Sequence, residues 1–207
     1  MKTLLITKKD IKKSNNYWSD YVGKTDVSNF DGHIEIDENL GCVRFNSIKA
    51  TGYIFARAGS GIKAGEGIKA GLFIEAGWGI EAGWGIEAGL GIEAGLGIEA
   101  GWGIKAGSGI EAGSGIEAGL GIEAGWGIVS FYSWIKAKLD IIVKLTISAG
   151  IFSCNGQQDI EAQEIHGNVI FGNKKLLPKP QEPQKEEGKK VKIRLKEGQI
   201  VEGEIID

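Results

Sequence analysis

The chain has 207 residues, a formal net charge of −3, 34 glycines and three prolines. So small a net charge gives no reason to expect direct nucleic-acid binding, and two cysteines are too few for a disulfide-rich secreted domain. The length suits one elongated domain with small appendages. The apolar run at residues 4–6 is too short for a signal peptide or a membrane span. We therefore expect a cytoplasmic protein with no membrane partner, in which Cys42 and Cys154 are free thiols rather than a bridge.

Residues 1–32 are not repetitive and precede a long tandem repeat. Residues 4–6 predict a short strand, and Tyr17, Trp18 and Phe30 supply apolar bulk. The open end of a repeat protein exposes unpaired strand edges, which invite end-to-end association. We therefore interpret this segment as an N-terminal cap. The alternative is a partner-binding head.

A six-residue phrase, Gly-Ile-Glu/Lys-Ala-Gly-x, repeats without a break over residues 61–128. A period of six fits neither an α-helix nor a coiled coil, whereas it is a multiple of the two-residue period of a strand. Ile and Ala would then point inward, and the Glu or Lys between them outward. A short fixed period predicts a solenoid, in which each repeat buries its apolar side against its neighbours. Glycine would supply the corner residue with a positive φ.

The predicted solenoid extends beyond the regular repeats, over residues 33–173. Irregular strands begin at His33. Two residues are inserted between Ile54 and Ile62, an even number that keeps the same side chains inward. The last strand is predicted at residues 169–171.

The C-terminal residues predict a linker and a hairpin. Residues 174–190 contain all three prolines and few apolar side chains, which is typical of a semi-extended linker. Residues 191–207 alternate apolar and polar side chains on both sides of Glu197 and Gly198, which predicts a β-hairpin. Because an isolated hairpin is marginally stable, we expect it to pack on the solenoid, on a partner or on a second copy, which would give a homo-oligomer.

The repeat resembles that of hexapeptide-repeat, left-handed β-helix proteins, as in the phrase Ile-Glu-Ala-Gly-Ser-Gly at residues 110–115. A second register, with Leu as the aliphatic residue, fits residues 90–95. The resemblance implies an all-β, single-stranded β-solenoid with six-residue faces, three of which make an 18-residue coil. The recurrence of Leu and Trp at x every 24 residues is also compatible with two faces and a 12-residue coil. The resemblance favours three faces.

Candidate catalytic residues are scarce. Hexapeptide acyltransferases use a histidine between subunits, but His33 and His166 both lie outside the regular coils and without the neighbours of a metal site. The Gly-x-Gly matches lack the strand–turn–helix context of a phosphate loop. We predict a non-enzymatic protein with no metal and no cofactor. The alternatives are an acyltransferase-like enzyme and a purely structural or assembly module.

The outward charges form the first candidate surface. Residues 62–129 carry nine Glu and three Lys, a net charge of 3 − 9 = −6. Their simplest role is to solvate the solenoid and to block aggregation. The functional alternative is an array of carboxylates that imitates a nucleic-acid backbone or docks on a basic cleft. The candidate partner-binding residues are Glu75, Glu81, Glu87, Glu93, Glu99, Glu111, Glu117 and Glu123.

The large residues at x form the second candidate surface. If x lies in the same strand as the following Ile, then Trp78, Trp84, Trp102 and Trp126 fill the core. If a corner lies between x and Ile, these residues form an exposed ridge that marks an interaction surface.

These features predict a protein-interaction protein with an acidic β-solenoid surface. Its partner would be a protein with a basic or nucleic-acid-binding surface. Near-perfect glycine-rich repeats in a small protein look like phage products, and some pentapeptide-repeat solenoids bind enzymes by imitating DNA. By that analogy, the finer expectation is a phage-type inhibitor of a host defence complex, for example a CRISPR effector.

Overall fold

The computed structural model describes residues 1–15, 17–152, 158–179, 190–194 and 200–204, the last two ranges as backbone alone. The chain divides into two units, Met1–Leu177 and Pro178–Asp207. The first unit is a parallel β-solenoid, and the second contains a β-hairpin. Within the described ranges the longest helical segment has three residues, and none could span a membrane.

The first unit begins with strand β1 (Thr3–Ile6), a 3-10 helix (Lys8–Asp10) and strands β2 (Ile11–Lys13) and β3 (Trp18–Tyr21). The other strands of this unit are β4 (His33–Ile36), β5 (Gly41–Phe45), β6 (Ile48–Ala50), β7 (Ile54–Ala56), β8 (Ser60–Ala64), β9 (Ile68–Ala70), β10 (Ile74–Ala76), β11 (Ile80–Ala82), β12 (Ile86–Ala88), β13 (Ile92–Ala94), β14 (Ile98–Ala100), β15 (Ile104–Ala106), β16 (Ile110–Ala112), β17 (Ile116–Ala118), β18 (Ile122–Ala124), β19 (Gly127–Ser130), β20 (Ile135–Ala137), β21 (Asp140–Ala149), β22 (Asp159–Ala162), β23 (Glu164–Phe171) and β24 (Asn173–Leu176).

Successive coils pair in parallel and form three faces. Face A contains β1, β4, β7, β10, β13, β16 and β19, and face B contains β3, β5, β8, β11, β14, β17, β20, β22 and β24. Face C contains β6, β9, β12, β15 and β18. Strand β21 rounds a corner, since it pairs with β18 on face C and with β19 on face A.

The register sets the length of each coil. Ile74 lies beside Ile92 and Ile92 beside Ile110, so the regular coils have 18 residues. Coils near the ends are longer, because Ile54 lies 20 residues before its partner Ile74 and other pairs are 19 apart. The structure confirms a β-solenoid with three six-residue faces and excludes the 12-residue coil.

The core is a stack of like residues. Each repeat strand has three residues, with Ile and Ala inward and the residue between them outward. Every repeat isoleucine from Ile62 to Ile128 is at most 1 % exposed. Full burial of one such side chain contributes about 1.5–3 kcal/mol, so the unbroken column of isoleucines is the main source of stability. The prediction of inward isoleucines is confirmed.

The expectation that repeat glycines take positive φ is wrong. The glycines with positive φ in the described residues lie outside the regular coils. The glycine after each Ala is required by close approach instead. A Cβ added to Gly101 would overlap the carbonyl oxygen of Gly83 in the neighbouring coil. The glycine before each Ile has room, since a Cβ on Gly97 would lie 3.4 Å from the Gly115 oxygen.

The N-terminal cap completes the first coil. Strand β1 pairs in parallel with β4, as expected from the apolar run, and β3 pairs with β5. Strand β2 pairs antiparallel with β3, a hairpin that the sequence analysis did not predict. Arg44 binds Asp20 across the cap at 2.6 Å.

The second unit contains the predicted C-terminal hairpin. Strand β25 (Lys190–Arg194) pairs antiparallel with β26 (Ile200–Glu204). The predicted turn at Glu197 and Gly198 lies outside the described residues, as do residues 180–189 of the predicted linker. The first residues of that linker, up to Leu176, belong to β24, which pairs with β22.

Candidate interaction surface

The outward residues of the repeat strands form one column on each face. The columns are in register from coil to coil, so neighbouring charges are one strand spacing apart, about 4.8 Å. All eight candidate glutamates lie at outward positions of these columns. Face A carries Glu75, Glu93 and Glu111, face B carries Lys63, Glu81, Glu99 and Glu117, and face C carries Lys69, Glu87, Lys105 and Glu123.

The column of face C neutralises itself. Lys69 pairs with Glu87, and Lys105 with Glu123, both at 2.8 Å. The carboxylate of Glu123 raises the pKa of Lys105 by accepting its hydrogen bond. This face therefore has little net charge to offer a partner.

The column of face B is partly neutralised. The ammonium group of Lys63 donates to the carboxylate of Glu81. Glu99 and Glu117 follow in the next two coils, and neither forms an ion pair with the described residues. Two carboxylates of this column are therefore available to an external cation.

The column of face A is an acidic ladder, Glu75, Glu93 and Glu111, and no described residue forms an ion pair with any of the three. The pKa values of Glu75 and Glu111 are raised above the ordinary 4.5. Partial burial is the larger cause, and the charge of Glu93 between them is the second. The ladder therefore holds three carboxylates close together although like charges repel.

The large residues at x point outward. The corner lies between x and the following Ile, because the strands have only three residues. Trp84 is 49 % and Trp102 is 57 % exposed, and their rings stack with centroids 5.6 Å apart. Because corners lie outside the core, Ser108 can alternate there with Trp and Leu without creating a cavity. The alternative of an exposed ridge is the correct one.

Each face carries a groove between its corner residues and its outward column. The floor is the glycine that precedes each Ile, such as Gly97 on face B. The groove volumes are about 440 Å³ on face A, 620 Å³ on face B and 600 Å³ on face C. The combination of aromatic walls and carboxylates suits a ligand that has both apolar and cationic parts.

Aromatic residues replace glycine at several floor positions, and the sequence analysis did not recognise their role. On face A, the rings of His33, Tyr53 and Phe73 stack at centroid distances of 4.1 and 4.9 Å. On face B, the indole of Trp134 lies over Gly115. The available signal was an aromatic residue directly before an inward isoleucine.

The residues considered for catalysis have structural contacts. His33 Nδ1 accepts a hydrogen bond from the backbone of Tyr53, and His166 lies 3.1 Å from Glu164. Burial raises the pKa of Cys42 to about 12, so its thiol stays protonated at neutral pH and cannot act as a nucleophile. Cys42 is free, and Cys154 lies outside the described residues. The described part of the chain has no cluster of metal-ligating side chains.

Comparison with protein-family models, with curated proteins and with solved structures gives no significant match for this chain. The resemblance to hexapeptide-repeat proteins is therefore carried by the repeat phrase alone. The parallel β-solenoid is established by the strand pairing.

Proposed function

We propose that this protein is a non-enzymatic interaction protein that binds a basic, nucleic-acid-binding surface of a partner protein through its outward carboxylates. The observation that carries the proposal is the ladder of Glu75, Glu93 and Glu111. It presents three carboxylates in register, with no described basic side chain paired to them.

The backbone holds this ladder rigidly. Ile92 donates its amide to Gly109, and Ile74 donates to Gly91, both at 3.0 Å, so each coil is fixed to the next. A partner therefore meets the carboxylates at fixed spacings and does not have to order them. Charges that are pre-organised in this way favour association, because less conformational entropy is lost on binding.

The charge density supports a comparison with nucleic acid. Residues 62–129 carry a net charge of −6 and occupy about four coils, or about 19 Å of the solenoid axis. This is about one negative charge per 3 Å, against about one per 1.7 Å for duplex DNA. A cleft that binds a phosphate backbone would attract such a surface, although more weakly for each unit of length.

The repulsion within the ladder favours the same partner. Burial and the charge of Glu93 disfavour the ionised forms of Glu75 and Glu111. A lysine or arginine placed against the ladder would reverse the second effect. Groups with perturbed pKa values are concentrated at functional sites, which supports this column over the paired column of face C.

A finer form of the proposal is a phage-type inhibitor of a host defence complex, in which the solenoid occupies the nucleic-acid channel of a nuclease such as a CRISPR effector. Its support is the linear array of charge and the analogy with other solenoids that imitate DNA. In this form, DNA or guide RNA would compete directly with the protein.

The proposal can be tested by affinity capture from a bacterial lysate with quantitative mass spectrometry. The immobilised wild type is compared with the variant Glu75→Gln/Glu93→Gln/Glu111→Gln. The matched control is Glu66→Gln/Glu87→Gln/Glu123→Gln, which removes the same charge from face C and its corner. We expect a nucleic-acid-binding protein that wild type and control retain, that the ladder variant loses, and that added DNA displaces. Equal capture by all three proteins would contradict the proposal.

A further inference from the structure

The groove of face B is closed at both ends by a lysine over an indole. At one end the ammonium group of Lys63 lies 4.5 Å from the ring centre of Trp18, and at the other that of Lys136 lies 5.0 Å from Trp134. These two lysines are four strand spacings apart, about 19 Å. The groove is therefore a bounded site and not an endless furrow.

Each terminal lysine also meets a carboxylate. Lys63 pairs with Glu81, and Lys136 lies 3.5 Å from Glu161. Both ends thus show one arrangement, in which a cation lies between an indole face and a carboxylate. Such contacts combine cation–π attraction with an ion pair.

The middle of the groove has the same walls without the cation. Trp78 and Leu96 form one wall, and Glu99 and Glu117 form the other. Neither carboxylate has an ion pair among the described residues. Gly97 forms the open floor between the walls. A guest cation here would complete the arrangement that the protein builds for itself at both ends.

The other two grooves differ. On face A, Tyr53 and Phe73 fill the floor positions of the first coils, and the smaller groove begins beyond them. On face C, Lys69 and Lys105 already neutralise the carboxylates. Only face B combines a bounded apolar groove with free carboxylates in the described part of the chain.

We propose that the face B groove binds a short basic, proline-rich peptide of a partner protein in the polyproline II conformation, with its lysine or arginine side chains on Glu99 and Glu117. Aromatic-lined grooves recognise this conformation because it is extended and exposes its prolyl rings. The proposal does not rest on the function assigned to the face A ladder, because it concerns different residues and a different ligand.

The geometry favours polyproline II over a β-strand. A peptide in the groove lies along the axis and crosses the strands of face B, whose backbone groups are already paired between coils. It therefore cannot extend the sheet by β-augmentation. One turn of polyproline II rises about 9.3 Å in three residues, which matches two coils, about 9.6 Å. Two residues of a β-strand rise about 6.7 Å, which matches no whole number of coils. About six residues fill the groove.

The test is isothermal titration of the full-length protein with two synthetic peptides of equal composition, Pro-Lys-Pro-Pro-Lys-Pro and Pro-Pro-Lys-Lys-Pro-Pro. We expect the first to bind more tightly, because its lysines recur with the period of the groove. Glu99→Gln/Glu117→Gln should weaken binding of the first peptide about tenfold. The matched control Glu93→Gln/Glu111→Gln removes the same charge from face A and should leave binding unchanged.

A second pair of variants tests the groove by its shape. Gly97→Phe should fill the floor and abolish binding, whereas Gly91→Phe on face A should not. Aromatic residues already occupy the equivalent position at Phe73 and Trp134, so both variants should keep the circular dichroism spectrum of the wild type. Equal affinity for the two peptides, equal loss with the face A variants, or spermine binding as tightly as the first peptide would overturn the proposal. Dimerisation that is abolished by Gly97→Phe would also overturn it, by assigning the groove to a second copy of the chain.

Discussion

Glu75 and Glu93 occupy the same position in adjacent coils of face A, side by side in one parallel pair of strands. Neither forms an ion pair with the described residues, and Glu111 continues the row. Two carboxylates at one strand spacing destabilise the fold, because like charges directly opposite each other on a sheet repel. This surface is therefore less stable than the sequence could have made it, as the Lys–Glu pairs of face C demonstrate.

The first prediction concerns this repulsion. Glu93→Gln should stabilise the protein at pH 7 by about 0.5 kcal/mol or less, since solvent screens exposed charges. Glu87→Gln, the matched control, should destabilise it, because Glu87 pairs with Lys69. Thermal melts in low and high salt measure both effects, and each should shrink as salt is added. A ladder variant that melts below the wild type would contradict the account.

The same ladder predicts a pH dependence. The folded-state pKa values of Glu75 and Glu111 are raised, so their protonated forms favour the folded state. This contribution is fully present below the ordinary carboxyl pKa near 4.5 and is lost as the pH rises through the raised value. Glu93→Gln removes the smaller cause of the shift, so it should reduce this pH dependence without abolishing it. Melting temperatures measured across this pH range, for wild type and variant, check the sign.

The two glycines of the repeat should respond differently to the same substitution. Gly101→Ala places a Cβ against the carbonyl oxygen of Gly83 and should cost about 1–3 kcal/mol, because the coils cannot separate without breaking their hydrogen bonds. Gly97→Ala meets its nearest atom at 3.4 Å and should change stability by no more than about 0.5 kcal/mol. Urea unfolding of the two variants measures the difference. Equal costs would show that close approach does not explain the glycine after Ala.

The core should not tolerate charge. Ile98→Asp places an unpaired carboxylate in a column of isoleucines and should destabilise the solenoid by several kcal/mol, enough to prevent folding. Glu99→Lys, on the next residue and facing solvent, is the control and should fold normally. Far-ultraviolet circular dichroism distinguishes them. A native spectrum for Ile98→Asp would contradict the assignment of the core.

The C-terminal unit should act in association and not in folding of the solenoid. Truncation after Leu177 removes the second unit at its boundary. Since an isolated two-stranded hairpin is marginally stable, we expect it to require a partner surface. The truncated protein should keep its circular dichroism spectrum but lose either self-association or partner binding. Light scattering and affinity capture measure these two losses, and no change in either would show that the hairpin has no such role.

The regular coils could be predicted from the sequence because one period determines many contacts. The six-residue spacing of isoleucine implies a strand, an inward face and a column of outward charges, and all three are observed. The three columns of outward residues also follow from an 18-residue coil. Such inferences need only local alternation and stacking, which a repeat states many times.

Features that depend on the corners could not be predicted. Whether Trp84 points inward depends on whether the turn falls before or after it, and the phrase Gly-x-Gly permits both. The role of Gly101 depends on its distance to the preceding coil, which one strand does not reveal. The cap hairpin of β2 and β3 and the groove ends at Trp18 and Trp134 occur once each, so no repetition marks them.

The most direct test of the acidic ladder is the salt dependence of the Kd for the captured partner. Titrations of wild type and of Glu75→Gln/Glu93→Gln/Glu111→Gln should be compared from about 50 to about 300 mM NaCl, a range over which the Debye length falls through about 10 Å. We predict that wild-type binding weakens steeply with salt, that the variant binds more weakly at low salt, and that its slope is smaller. Equal Kd values and equal slopes for the two proteins would contradict the account.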